Sequence, residues 1–205
     1  MDSNWAAEHL QTIRTLMERS AVYRRALAPT MLGAGAIGLG FGALGWFRGG
    51  DNPKGFILLW LGAAIIGLAT ALSVIRRQAF SDTEPFWSSP TRRVAQAVLP
   101  AFIGGAALGM AALGPIPVDL SVLISLWTLL YGCGLHAAAF FMQRGMRWLS
   151  WLYIIMGSLF LLLQGFGRSV AVDVRSASLT MGLVFGAGHL LYGVYLWLTE
   201  PRKSP

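Results

Sequence analysis

Six stretches of the chain run for about twenty residues, the length a helix needs to cross a hydrocarbon core, without a single Asp, Glu, Lys or Arg. They are Ala26–Phe47, Phe56–Ile75, Val94–Leu113, Leu120–Met142, Trp148–Phe166 and Leu179–Leu198. Each is continuously apolar, whereas the strand of a membrane β-barrel alternates polar and apolar positions. The pattern predicts an all-α, polytopic bundle of six transmembrane helices. Ahead of the first span, Trp5–Tyr23 sets Ala6, Leu10, Ile13 and Met17 apart from Glu8, Arg14, Glu18 and Arg19, the periodicity of an amphipathic helix. The expected organisation is thus an amphipathic segment over 1–25, a transmembrane domain over 26–198 and a polar tail over 199–205. The mixed charge of the first segment suits a helix lying along the headgroups, with docking on a partner protein as the alternative.

Composition narrows the class further. Of 205 residues, 55% are hydrophobic and only 12% charged, too little polar surface to cover a soluble domain of this size. A single cysteine, Cys133, excludes an intrachain disulfide framework and a cysteine-based zinc site. Twelve of the sixteen basic residues fall on one side of the predicted bilayer: Arg14, Arg19, Arg24 and Arg25, Arg76, Arg77, Arg92 and Arg93, Arg144 and Arg147, then Arg202 and Lys203. Arg48, Lys54, Arg168 and Arg175 fall on the other. Cytoplasmic loops retain the basic excess, so both termini are expected in the cytoplasm. The net charge of +7 then follows from topology, and scattered span-end arginines predict no nucleic-acid partner. The first residues carry no short apolar core with a cleavage site, so insertion is expected to rely on the first span.

Small residues recur every four positions, as in Ala34, Gly38 and Gly42, then Ala63, Gly67 and Ala71, then Ala101, Gly105 and Gly109, with Gly182 and Gly186 in the last span. Inside lipid, helices associate through the close backbone approach that such residues permit. These glycines are therefore expected to pack helices within the bundle, with a homo-oligomer through a spare face as the alternative. ALAPTMLGAGAIGLG from Ala26 also aligns with AVLPAFIGGAALGMA from Ala97, and the following spans align Trp60 with Trp127 and Gly67 with Gly134. Three related helical hairpins would explain both matches.

Ionisable groups at membrane depth default to functional hypotheses. Two are present, His136 and His189. The first lies on a stripe with Ser125, Thr128 and Gly132, the second on a stripe with Gly182, Gly186 and Gly193, and Tyr192 is close by. They are read as neutral histidines held by Ser125, Thr128, Tyr192 or a backbone carbonyl, as a proton or solute site, or as a bis-histidine ligand pair for haem b. No metal site and no cofactor are otherwise expected. GAGAIGLG from Gly33 contains a Gly-x-Gly-x-x-Gly pattern but lies inside a span with no preceding strand, and His9 has no serine elbow or ligand cluster to join. The chain is read as non-enzymatic. Between spans two and three, Phe86 and Trp87 mark the longest internal connection; with Trp5 they are the candidates for headgroup anchoring or contact with a cytoplasmic protein.

The segment TIRTLMERSAVYRRALAP, Thr12–Pro29, resembles the start of an uncharacterised group of bacterial multi-pass integral-membrane proteins. The resemblance implies a bacterial inner membrane and implies no activity. Function is accordingly expected to be that of a sensor or accessory component acting through cytoplasmic contacts, against a small-solute or ion pathway or a haem-bearing redox protein.

The charge asymmetry predicts that reporter fusions after Arg77 and after Arg144 are active in the cytoplasm and that one after Pro117 is active on the opposite side. A periplasmic signal at Arg144 would refute the six-span threading.

Overall fold

The computed structural model describes residues 3–49, 52–81, 85–115, 119–142, 144–166 and 172–199, with the backbone alone described at 3–8, 10–25, 90 and 144. Among the described residues every regular element is helical: α1 (Ser3–Arg48), α2 (Pro53–Ser81), α3 (Ser89–Ala112), α4 (Leu120–Ala139), α5 (Arg144–Gly165), and α6 (Val174–Met181). The last leads through a π-helical segment (Gly182–Ala187) into α7 (Gly188–Thr199). Six helices are long and apolar enough to cross a membrane, and α6, the π segment and α7 together make the sixth. The chain is an all-α, membrane-embedded protein.

Local chemistry sets the helix starts. Pro53 opens α2, a position where a missing N–H costs nothing, and the Asn52 side chain accepts from Lys54 N at 3.1 Å. Asp119 caps α4 by accepting from Ser121 N at 2.8 Å, and Asp173 caps α6 by accepting from Ser176 N at 3.0 Å. That cap, with bonds from Ser176 to an ionised Asp173, holds this exposed carboxyl below its ordinary range. It also explains why the sixth span begins at Val174 and not at Leu179: an apolar run marks where the lipid starts, and the cap lies a turn earlier. At the other end of α4, Phe141 N bonds to Ala138 O, turning the chain before Met142.

The N-terminal stretch and the first span form one continuous helix through Pro29. At 1.5 Å per residue α1 is about 69 Å long, more than twice a hydrocarbon thickness of about 30 Å, so its N-terminal half stands outside the hydrocarbon. Proline is tolerated inside a membrane helix where nearby hydroxyls support the freed turn. Pro29 leaves the Arg25 carbonyl without its helical donor, and the next residue, Thr30, donates its hydroxyl to the adjacent carbonyl, Ala26 O, at 2.6 Å. The apolar stripe of Ala6, Leu10, Ile13 and Met17 falls on side chains outside the described residues. Gly49 ends α1 with φ +57°, the left-handed stop that glycine adopts without strain.

Packing sorts the spans into two groups. In one, α1 lies along the whole sixth span and carries α2; in the other, α4 lies against α3 and, most extensively, α5. The first two expected hairpins, α1–α2 and α3–α4, therefore pack arm to arm, while the arms of the third pack mainly on α4 and on α1. The first group is sealed by glycine. A methyl group placed on Gly42 would sit 2.6 Å from Gly182 Cα, one on Gly38 2.8 Å from Gly186 Cα, and one on Gly186 2.5 Å from Leu39 N. Gly132 approaches Ile154 N, and Gly157 approaches Leu129 N, in the same way within the second group. Gly109 meets the rings and methyls of Trp127 and Leu61 at about 3 Å. Gly67 has open space in front of it, and Gly105 makes only ordinary contact, 3.7 Å, with Trp127. Spacing by four puts small residues on one helical face but does not say whether a neighbour meets that face.

Where backbones nearly touch, an added side chain forces them apart, at a cost of about 1–3 kcal/mol or more. Gly42→Leu and Gly186→Leu are expected to lower the unfolding temperature in detergent by several degrees relative to the parent. An unchanged transition for both would mean that the α1 seam is not formed.

Candidate functional site

A buried polar network inside the bundle is built on an irregularity. Three glycines, Gly182, Gly186 and Gly188, lie in or beside the π-helical segment. Such a wide turn is uncommon, is often found at functional sites, and displaces carbonyls from the regular ladder. Two of those carbonyls serve side chains. Tyr153 Oη donates to Val184 O at 3.2 Å, and His189 Nδ1 donates to Phe185 O at 2.5 Å. Because Nδ1 carries the hydrogen, Nε2 is the acceptor, and Tyr131 Oη donates to it at 2.5 Å. Tyr153 Oη also stands 3.1 Å from Nδ1, sharing its hydrogen with Phe185 O. The Tyr131 and Tyr153 rings meet edge to face at 5.2 Å, and Tyr153 stacks on Phe185 at 5.6 Å. His189 is only 3% exposed. The result is a neutral imidazole whose two nitrogens are both engaged, pinning α4 and α5 to the sixth span.

His136 belongs to a different group. Its Nδ1 donates to Ser150 Oγ at 3.1 Å, since the Ser150 hydroxyl already donates to Arg147 O at 2.7 Å. The rings of Phe140 and Trp151 present edges to it. The two histidines thus stand in separate hydrogen-bonded groups, and His189 keeps no free lone pair for an iron, so the arrangement does not fit a bis-histidine haem. Ser125 and Thr128 are fully buried but donate to carbonyls of their own helix, Ser121 O and Ile124 O, both at 2.7 Å. Gln164 Nε2 donates to Ser125 Oγ at 2.9 Å. Tyr192, half-buried, lies against Gly145 with no hydrogen-bond partner for its hydroxyl among the described residues. Phe86 and Trp87 occupy a turn between α2 and α3, the first half-buried and the second exposed, their rings 6.1 Å apart. The Trp5 side chain lies outside the described residues.

Above this network is a cavity of about 610 Å³, the size of a small-molecule site. α1, α2, α3 and α4 form its walls, and Tyr131, Phe185 and His189 contribute to it from the polar network. α2 and α3 barely touch, and their cavity-lining residues Ile65, Leu68, Ile103 and Met110 are well exposed. The mouth therefore opens sideways at membrane depth, toward lipid. No Asp, Glu, Lys or Arg is among the lining residues. Gly67 and Gly105, the two of the expected packing glycines without a tight neighbour, both lie in this wall.

Tyr131, Tyr153, Ser150 and Gln164 lie within spans but carry no charge near neutral pH, so nothing in their chemistry alone marks them among the other residues of those spans. Tyr131 follows Thr128 by one helical spacing on the stripe that leads to His136, and that periodicity could have found it. No protein-family model, curated protein or solved structure matches the chain.

Membrane hydrogen bonds average about 0.6 kcal/mol and reach roughly 1.7. Tyr131→Phe, which removes only the hydroxyl on His189 Nε2, is expected to destabilise the protein by an amount in that range, and His189→Ala by more. Equal unfolding transitions for Tyr131→Phe and the parent in detergent would show that this network does not hold the bundle.

Proposed function

We propose that this chain is a non-enzymatic component of a bacterial inner membrane that holds a lipophilic molecule taken sideways from the bilayer. The observation that carries the reading is the apolar cavity of about 610 Å³ whose mouth lies between α2 and α3. An apolar wall facing hydrocarbon favours a ligand already dissolved in the membrane, and it gives an ion no charge or carbonyl ring to replace its water. The polar groups at its base are committed to one another, which suits a rigid floor better than a reacting centre.

Occupancy has a natural route out of the membrane. α2 and α3 border the mouth, and the connection between them carries Phe86 and Trp87. A ligand that wedges between the two helices changes their spacing, and with it the presentation of that turn. The arginine asymmetry supports a cytoplasmic position for the turn, where a partner protein would read it. A sensor or accessory subunit works in this way: the signal is a population shift set by the ligand's differential affinity for two helix spacings.

Gly67→Leu tests the reading, because the open space before Gly67 accepts a side chain that then occupies the cavity. Solvent extraction of the purified parent should release a lipophile near one molecule per chain, absent from Gly67→Leu protein of unchanged thermal stability. The same lipid profile from both proteins would refute it.

A further inference from the structure

Resting on the cavity reading above, the way α2 and α3 part gives the ligand a direction. At one end the two helices meet: a methyl group placed on Gly109 would sit 3.1 Å from Leu61 Cδ2. Toward the other end each leans on its own hairpin partner instead. A methyl on Gly33 would lie 3.3 Å from Thr70 Cγ2, where α2 rests on α1, and one on Gly134 would lie 2.7 Å from Ala101 Cβ, where α3 rests on α4. The cleft is thus closed beside Leu61 and Gly109 and widens toward Ala71 and Ala101, the last wall residues on each helix before the connection that joins them.

Past that open end come two arginine pairs, Arg76 with Arg77 and Arg92 with Arg93, all exposed. Counting Asp82 and Glu84, the chain from Arg76 to Arg93 carries a net charge of +2. One arginine of each pair is in register with the mouth. Ile65 and Ile103, wall residues that are 69% and 59% exposed, form its lips. Arg76 lies eleven residues after the first and Arg92 eleven residues before the second, three helical turns in each case, which puts each arginine on the flank of its lip residue and about 16 Å along it. Arg77 and Arg93 are each turned by about 100° from that flank. The Arg76 guanidinium sits over the Phe80 ring, 5.5 Å from its centre, and a cation held that way keeps N–H donors for an anion.

We propose that the cavity holds one acyl chain of an anionic glycerophospholipid, with the lipid phosphate bound by Arg76 and Arg92 at the open end. Each part of that molecule meets a matching surface: the wall takes hydrocarbon, and a planar guanidinium donates two parallel N–H bonds to phosphate oxygens. Size agrees, since 610 Å³ at about 30 Å³ for a water-sized group admits on the order of twenty non-hydrogen atoms, one long chain and not two. Depth agrees as well. From Leu61 to Arg76 is fifteen residues, about 22 Å, so a chain that fills the cleft runs from headgroup level past the middle of a hydrocarbon core of about 30 Å. The lipid enters sideways between α2 and α3 while its phosphate stays at headgroup level, so no charge crosses hydrocarbon.

The test uses the full chain in detergent, native mass spectrometry, and two probes with identical acyl chains: phosphatidylglycerol and diacylglycerol, which lacks the phosphate. At about fivefold for each arginine beside an anionic lipid, the parent should bind phosphatidylglycerol about 10- to 25-fold more tightly than diacylglycerol. Arg76→Gln combined with Arg92→Gln should lose that preference and bind diacylglycerol as the parent does. Arg77→Gln combined with Arg93→Gln removes the same charge from the flanks turned away from the mouth and should keep the preference. Equal losses in the two double variants would show that the arginines act through net charge alone; that result, an undiminished preference in the Arg76 and Arg92 variant, or a parent that favours diacylglycerol would overturn the headgroup assignment and leave the cavity reading intact. Gly67→Leu should bind both probes more weakly. If it binds both as well as the parent does, the cavity is not the site and both readings fall.

Discussion

The contact between α1 and the sixth span, closed through Gly38, Gly42, Gly182 and Gly186, is the constraint from which the rest of the arrangement follows. In lipid there is no hydrophobic gain from bringing two apolar helices together, so association depends on how near their backbones come. With this seam set, α2 rides on the outer side of α1, and the sixth span presents Val184, Phe185 and His189 to the other three helices. The second group of spans then joins the first through the Tyr131, Tyr153 and His189 network and through an apolar cluster that sets Phe56 and Trp60 of α2 against Leu123 and Trp127 of α4. α2 and α3 themselves meet at one end only, where Leu61 reaches Gly109 beside the stacked rings of Phe56 and Trp127, and the cavity is the space left where they part.

The junction is polar where it could have been apolar. Tyr131 and Tyr153 come from one group of helices, His189 and its neighbouring carbonyls from the other. Each hydrogen bond is modest in a membrane, yet a hydroxyl that misses its acceptor has no water to fall back on. Such a cluster tolerates one register between the groups and penalises the rest. The glycines around the π segment serve the same end, since a wide turn frees carbonyls only where the chain can bulge without clashing with α1.

Much of this architecture was legible in residue order. The uncharged runs located six spans within a few residues, because burial in hydrocarbon acts on each helix separately. Gly38, Gly42, Gly182 and Gly186 announced themselves by spacing, although only the folded chain shows that they meet one another and that Gly67 meets open space. The polar site was harder to see. His136 and His189 stood out as ionisable, but their partners, Ser150, Tyr131 and Tyr153, come from other helices, and no local pattern encodes which helices become neighbours. The cavity left no mark at all in the sequence, because it arises where contact fails between α2 and α3.

That the firmest seam joins the first span to the last bears on how the molecule is made. A ribosome adding about 5–20 residues per second delivers Val174 on the order of ten seconds after Arg48 has left it. Throughout that interval the bare glycine face of α1 lies against lipid or against whatever translocation machinery attends it, and α2 is anchored to a helix whose true mate does not yet exist. Loop-closure entropy is paid late and all at once. A nascent chain interrupted anywhere before the sixth span would therefore carry an unpaired backbone-deep groove, open to a second nascent chain offering the same glycines.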